Sequence, residues 1–256
     1  MRDTSHRPEY GPVLGVTVPQ ANTTVEPEMQ ALLGARHTLL TARMVCHSLD
    51  ARERLQDYFK TLGATAAQFD VAPLQVLGFA CTGSSYLVGA SREAEHLAAL
   101  TSSLGYPVRS AAQSILQSLH ALGARRIALL SPYPGWLSEA GQAYWKAAGL
   151  TVTAVAGLPS ELLDTRNIYK LTTPAVQKIL ASLDTTGCDA VLMSGTGMPS
   201  LRTMAAHSLP MPVLSSNLCL AWAMQCAVQS DPSASMLLND LLAPQADWRT
   251  RTGAQP

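Results

Sequence analysis

An internal repeat constrains this chain more than any other feature. Residues 76–84, VLGFACTGS, line up with residues 190–198, AVLMSGTGM, at a shift of 114 positions. Each is an apolar run of strand length that ends in a small residue, Thr and Gly, and then enters a helix-like stretch. Residues 13–19 stand 113 positions before residues 126–132, and both are apolar strands that close on proline. YPVRS at 106–110 resembles MPVLS at 211–215, at a shift of 105. Three matches in the same order imply duplication: two α/β halves related by a pseudo-twofold axis.

The rest of the pattern agrees with that reading. Strand-length apolar runs occur at 13–18, 39–45, 74–80, 126–130, 151–155 and 190–193, most of them bounded by Gly, Pro or polar residues. Helix-like segments lie between them at 26–33, 51–69, 85–100, 111–122, 139–148, 174–183, 201–207 and 218–229. Strands alternating with helices of this length predict βαβ units and parallel sheets covered on both faces. The expected fold is α/β, with two pseudo-symmetric doubly wound parallel-sheet halves and the active site in the cleft between them. Residues 10–118 with 217–243 make the half that carries Cys81, and residues 119–216 make the half that carries Gly195. Residues 244–256 are polar, show no core pattern and are expected to be a flexible tail. In such folds, ligands sit beyond the carboxyl ends of the strands, so chemistry is expected there.

Composition narrows the class of partner. Eighteen basic residues balance eighteen acidic ones, and nothing in that balance suits a nucleic-acid backbone or an anionic membrane surface. Charged residues make up 14% of the chain, against roughly 25% in an average soluble domain, so much apolar surface must be hidden. A homo-oligomer is one way to hide it. The longest near-apolar stretch, residues 218–228, is too short to span a bilayer and contains Gln225. The N-terminus shows no apolar leader core, and the five cysteines form no CxxC pair. Reduced thiols in a cytoplasmic protein are the expectation.

The two halves differ where the repeat should carry chemistry. Half one has Cys81-Thr82-Gly83, and half two has Gly195-Thr196-Gly197. Cys81 closes a strand ahead of a predicted helix, where backbone N–H groups favour a thiolate and can hold a carboxylate. Cys46, Cys188, Cys219 and Cys226 read as inert small hydrophobes. GTGMPS at 195–200 imitates a dinucleotide fingerprint but has Ser200 where the third glycine belongs. The chain contains neither a P-loop motif nor a GxSxG elbow, and its six histidines form no metal-ligand spacing. A thiol enzyme without metal or organic cofactor survives this elimination.

VPQANTT at 18–24, ACTGS at 80–84, SPY at 131–133 and MPSL at 198–201 together resemble the aspartate/glutamate racemase superfamily, in its maleate isomerase and arylmalonate decarboxylase branch. The resemblance covers about residues 12–229. It implies a cofactor-independent site between the halves, with cysteines commonly supplied by both pseudo-symmetric loops. Cys81 matches the first-half cysteine, the nucleophile of maleate isomerases. Gly195 replaces the second-half cysteine, and Cys188 lies seven residues too early to substitute for it. Arylmalonate decarboxylases have the reverse arrangement, so two-base racemisation is not expected. Asn22 and Tyr133 match carboxylate-binding positions of the family, and Asn167 matches a further substrate-contacting asparagine.

The remaining candidates for a carboxylate clamp are Thr82 and the backbone around Gly83, Gly195, Thr196 and Gly197. A single thiol can add to an activated alkene or can protonate the enediolate left by CO₂ loss. The expected function is therefore a cysteine-dependent isomerase of a small unsaturated dicarboxylate, maleate-like. Decarboxylation of a substituted malonate, with Cys81 as proton donor, is one alternative. A non-catalytic dicarboxylate-binding protein of the same fold is another.

Overall fold

A computed structural model describes residue 9 and residues 11–157, 164–229 and 234–253. The first sheet contains β1 (Val13–Pro19), β2 (Thr38–Met44), β3 (Leu74–Phe79) and β4 (Val108–Ser110), in the order β2-β1-β3-β4. The second contains β5 (Arg126–Ser131), β6 (Thr151–Gly157), β7 (Ala190–Met193) and β8 (Val213–Ser215), in the order β6-β5-β7-β8. Every pairing is parallel, and the two orders are the same. The expected α/β fold with two doubly wound parallel sheets is therefore what the chain forms. The central strands β1 and β7 are buried along their whole length, as continuous apolar runs in a parallel sheet should be. The edge strand β6 is partly exposed along its length.

The helices around the first sheet are α1 (Val25–Leu33), α2 (Ala51–Lys60), α3 (Leu62–Ala66), α4 (Thr82–Val88), α5 (Ala90–Leu104) and α6 (Ala111–Ala121). They are followed by α7 (Gly135–Ala147), α8 (Thr173–Ala181), α9 (Leu201–Ala206), α10 (Ser216–Val228), α11 (Ala234–Leu242) and α12 (Asp247–Arg251). The repeat extends to the caps. Ser110 accepts from the Gln113 N–H at the start of α6, and Ser215 accepts from the Leu218 N–H at the start of α10. Helix α10 is apolar on all sides and buried from Ser216 to Gln225, which accounts for part of the low charge content. It follows the second sheet yet packs against α6, α1 and β3 of the first. Gly78 permits this close approach, because a Cβ there would lie 2.6 Å from the Met224 sulfur.

Several expectations need correction. The three-residue strands β4 and β8 are too short to show a period, and the sequence marks them only as repeat segments. The helix expected over 85–100 is two helices that meet at Gly89, and the one expected over 51–69 breaks at Thr61. The segment after residue 244 is not a free tail over its described part. It forms α12, and Trp248 is 1% exposed, with its indole N–H donating to the Leu241 carbonyl at 2.7 Å. One large aromatic anchors the turn where a polar sequence showed no core pattern. Residues 254–256 of the expected tail lie outside the described residues. Among the described residues, no helix is long and apolar enough to cross a membrane.

Candidate active site

The strand order puts a switch point between β1 and β3, since β1 connects outward to β2 and β3 continues the other way. The second sheet has the same switch between β5 and β7. Four turns leave these strand ends: those after Pro19, Phe79, Ser131 and Met193. They meet in the middle of the molecule. The Thr196 hydroxyl donates to the Ala80 carbonyl at 2.8 Å, and the Thr24 hydroxyl donates to the Gly197 carbonyl at 2.9 Å. The hydroxyls of Thr82 and Tyr133 lie 2.6 Å apart. Each of these bonds joins one half to the other.

Cys81 is the N-cap residue of α4 and is 5% exposed. Its sulfur lies 3.1 Å from the Ser84 hydroxyl, which is itself fixed by donating to the Leu55 carbonyl at 2.7 Å. Burial raises the thiol pKa, while the Ser84 hydroxyl and the Ser84 and Gly83 amides oppose that rise. Burial wins, so the thiol is held protonated. The thiolate expected from a strand-to-helix turn is corrected on this ground: desolvation outweighs the donors of a seven-residue helix. Tyr133 is likewise raised well above its usual value of 10.0 by burial, and Tyr58 is pushed up to about 12. Both rings remain phenols at neutral pH.

The cavity around the sulfur has a volume of about 20 Å³. Cys81, Gly83, Tyr133, Thr196 and Gly197 line it, five of the positions expected from the sequence. Thr82 and Asn22 stand behind the wall. Thr82 holds Tyr133, and the Asn22 side chain donates to the Thr196 hydroxyl at 3.4 Å while its Oδ1 accepts from the Thr24 and Val25 amides. Gly195 is also behind the wall, where its N–H donates to the Ser216 hydroxyl at 2.8 Å. Asn167 lies in the 3₁₀ turn Thr165–Lys170 and is half-buried, but its neighbours Ile168 and Tyr169 form the wall instead.

Four polar lining residues lie outside the sequence expectations: Arg54, Tyr58, Thr165 and Tyr169. Arg54 and Tyr58 are four residues apart on α2, on the same side as Leu55. An arginine on an apolar helix face was the available signal. Among the described residues, no group of histidine, cysteine, aspartate and glutamate could hold a metal ion.

The model of the arylmalonate decarboxylase family matches residues 14–237 of this sequence. The chain belongs to the arylmalonate decarboxylase/maleate isomerase family, within the Asp/Glu racemase superfamily. Among its relatives, a maleate isomerase of Nocardia farcinica is 32% identical over 217 residues, covering 79% of this chain and 84% of the relative. The crystal structure of the maleate isomerase Iso from Pseudomonas putida S16, a cysteine variant with maleate, matches with a TM-score of 0.78. It is 26% identical, and the match covers 89% of this chain and 97% of that one. A cysteine variant of the Nocardia farcinica maleate cis-trans isomerase, with a covalently bound succinylcysteine intermediate, gives 0.76 at 27% identity, covering 89% and 98%. In the present chain, one turn of the repeat carries a thiol, Cys81, and the other a glycine, Gly195.

Proposed function

We propose that this chain is a cofactor-independent cis–trans isomerase of a small unsaturated dicarboxylate such as maleate, with Cys81 as nucleophile. The observation that carries the reading is a single buried thiol at the β1/β3 switch point, in a cavity lined by residues of both halves. The maleate isomerase relatives support the substrate class.

The chemistry follows from the site. Because the thiol is held protonated, its proton passes to a carboxylate oxygen of the substrate as sulfur adds to the alkene. A C–S bond forms, and the π electrons move onto the adjacent carboxyl group as an enediol(ate). The former double bond is now single and rotates. Collapse of the enediolate breaks the C–S bond, restores the alkene in the trans form and returns the proton to sulfur. The Tyr133 hydroxyl and the backbone N–H groups of Gly83 and Gly197 stabilise the charge that develops on the carboxyl oxygens, while Thr196 shapes the wall opposite the thiol. Asn22 and Thr82 position Thr196 and Tyr133.

A second reading draws on the protonated thiol. A neutral, buried Cys81 suits a general acid that delivers a proton to the enediolate of a decarboxylated, substituted malonate.

Proton NMR in D₂O separates these readings, using maleate and a substituted malonate with wild type and Cys81→Ser. Fumarate formation that falls by about 1,000-fold or more in the variant supports the isomerase. Loss of CO₂ from the malonate, with one deuteron gained, would replace it with the decarboxylase. Ligand binding without turnover of either compound would leave a dicarboxylate-binding protein.

A further inference from the structure

Arg54 alone carries a formal charge among the described residues that line the Cys81 cavity. Its side chain is 3% exposed, and a buried guanidinium needs a partner. On one side its Nη1 is anchored, donating to the Ser48 carbonyl at 3.0 Å and the Leu49 carbonyl at 3.4 Å. On the other side Nη2 donates across the halves to Asp164 Oδ1 at 2.8 Å and to the Thr165 hydroxyl at 3.3 Å.

Asp164 does not depend on Arg54. Its Oδ1 also accepts from the Arg166 N–H at 2.9 Å, and its Oδ2 accepts from Arg166 Nε at 2.8 Å and from Arg166 Nη2. Asp164 faces the other way as well, lining a second cavity of about 310 Å³ together with Asp50, Arg52 and Trp136. The Arg54–Asp164 pair therefore forms part of the partition between a roomy outer cavity and the cramped chamber around the thiol. Tyr58 and Tyr169, both on the chamber wall, feel the charge of Arg54.

We propose that Arg54 is the specificity-determining cation of the site, receiving one carboxylate of the ligand, and that Asp164 occupies its Nη2 edge until a ligand carboxylate takes that place. This rests on the reading of the chamber as a site for a small carboxylate. The exchange conserves hydrogen bonds. Arg54 keeps its two carbonyl partners and trades one carboxylate oxygen for another, while Asp164 stays with Arg166. Charge recognition inside a desolvated chamber is stronger than on an open surface. Breaking the partition also gives the chamber room, since about 20 Å³ holds little more than one water molecule.

The test reads charge recognition at the thiol without needing turnover. Alkylation of Cys81 by iodoacetate and by iodoacetamide is followed by mass spectrometry of the Cys81 peptide, in wild type, Arg54→Gln, Arg54→Lys and Asp164→Asn. Arg54→Gln is expected to lower the iodoacetate-to-iodoacetamide rate ratio by about tenfold, with Arg54→Lys retaining most of it. Asp164→Asn, which removes the competing carboxylate, is expected to raise the ratio by about threefold. An unchanged ratio in Arg54→Gln overturns the proposal. If Arg54→Gln does not fold, a ratio in Asp164→Asn that is unchanged or lower overturns it. Failure to isomerise maleate with the Arg54-dependent ratio intact would count against the isomerase reading alone.

Discussion

The turns at Cys81 and Gly195 descend from the same repeat position and leave equivalent strands, but they are built differently. At Cys81 the helix begins at once: Thr82 is its first residue, and the amides of Gly83 and Ser84 point back at the sulfur. At Gly195 the chain runs on as a loop to Ser200 before α9 begins. Gly195 has φ +123°, a conformation that favours glycine, and a Cβ there would lie 2.8 Å from Pro132 Cγ and 3.1 Å from Ile168 Cδ1. The second turn therefore lacks more than a sulfur atom. Its backbone has moved into a shape that side chains avoid, and the neighbouring ring and methyl group occupy the space.

Each turn is also held by its own buried carboxylate. Glu93 on α5 accepts from Ser85 at 2.5 Å and from Tyr144 of α7 at 2.6 Å, behind the Cys81 turn. Glu28 on α1 accepts from the Ser200 and Leu201 amides at 2.6 and 2.8 Å, and from the Ser200 hydroxyl and Asn217 at 2.7 and 2.8 Å. Asn217 passes the restraint on by donating to the Thr196 carbonyl at 3.0 Å. The thiol turn is held by hydroxyls, which can rotate to other partners. The glycine turn is held largely by backbone amides and a side-chain amide, which have nowhere else to go. A loop that is not fixed by a helix needs the stricter clamp.

The largest expected effect comes from moving the thiol. In the double variant Cys81→Ser/Gly195→Cys, turnover of maleate should stay about 1,000-fold or more below wild type by NMR. The protein should also lose roughly 1–3 kcal/mol of stability in urea unfolding, from strain at position 195. Recovery to within tenfold of wild type would show that the two turns are interchangeable after all.

Truncating the clamps should rank them. Glu28→Ala strands two amides and the Asn217 donor in a buried site and should cost about 2–4 kcal/mol, against about 1–2 kcal/mol for Glu93→Ala. Urea midpoints for the two variants check this, and the reverse order would break the contrast drawn above.

The smallest expected effect is on the pH dependence of stability. Burial raises the pKa of both Glu28 and Glu93 above the unfolded value of 4.5. The folded chain thus keeps protons that the unfolded chain releases. The associated stability is full below about pH 4.5 and is lost as pH rises through the folded values. Asp164, lowered from 3.8 chiefly by Arg166 against a desolvation that opposes the shift, acts in the other direction, and its contribution fades only as pH falls below 3.8. The thermal midpoint should therefore decline above pH 4.5, and Glu28→Gln should flatten that decline. An equally steep slope in Glu28→Gln would place the titrating group elsewhere.

Much of the fold was legible because repeats, apolar runs and cap residues are local. The repeat placed Cys81 and Gly195 on equivalent turns, and the strand ends pointed to Thr196, Gly197 and Tyr133 as cavity neighbours. The three-residue strands and the Trp248 anchor were not legible, since one aromatic or three residues make no period.

What the sequence by itself determined is therefore the α/β class, the duplication and the single thiol at a strand end. The tertiary structure alone decided three further things: that the thiol is buried and protonated, that Gly195 and Asn167 stand outside the chamber wall, and that Arg54 stands on it. The reason is physical. Arg54 meets Asp164 110 positions away, and Thr196 meets Ala80 116 positions away. Such pairings leave no local trace, because they exist only after two sheets have packed and the water between them has gone.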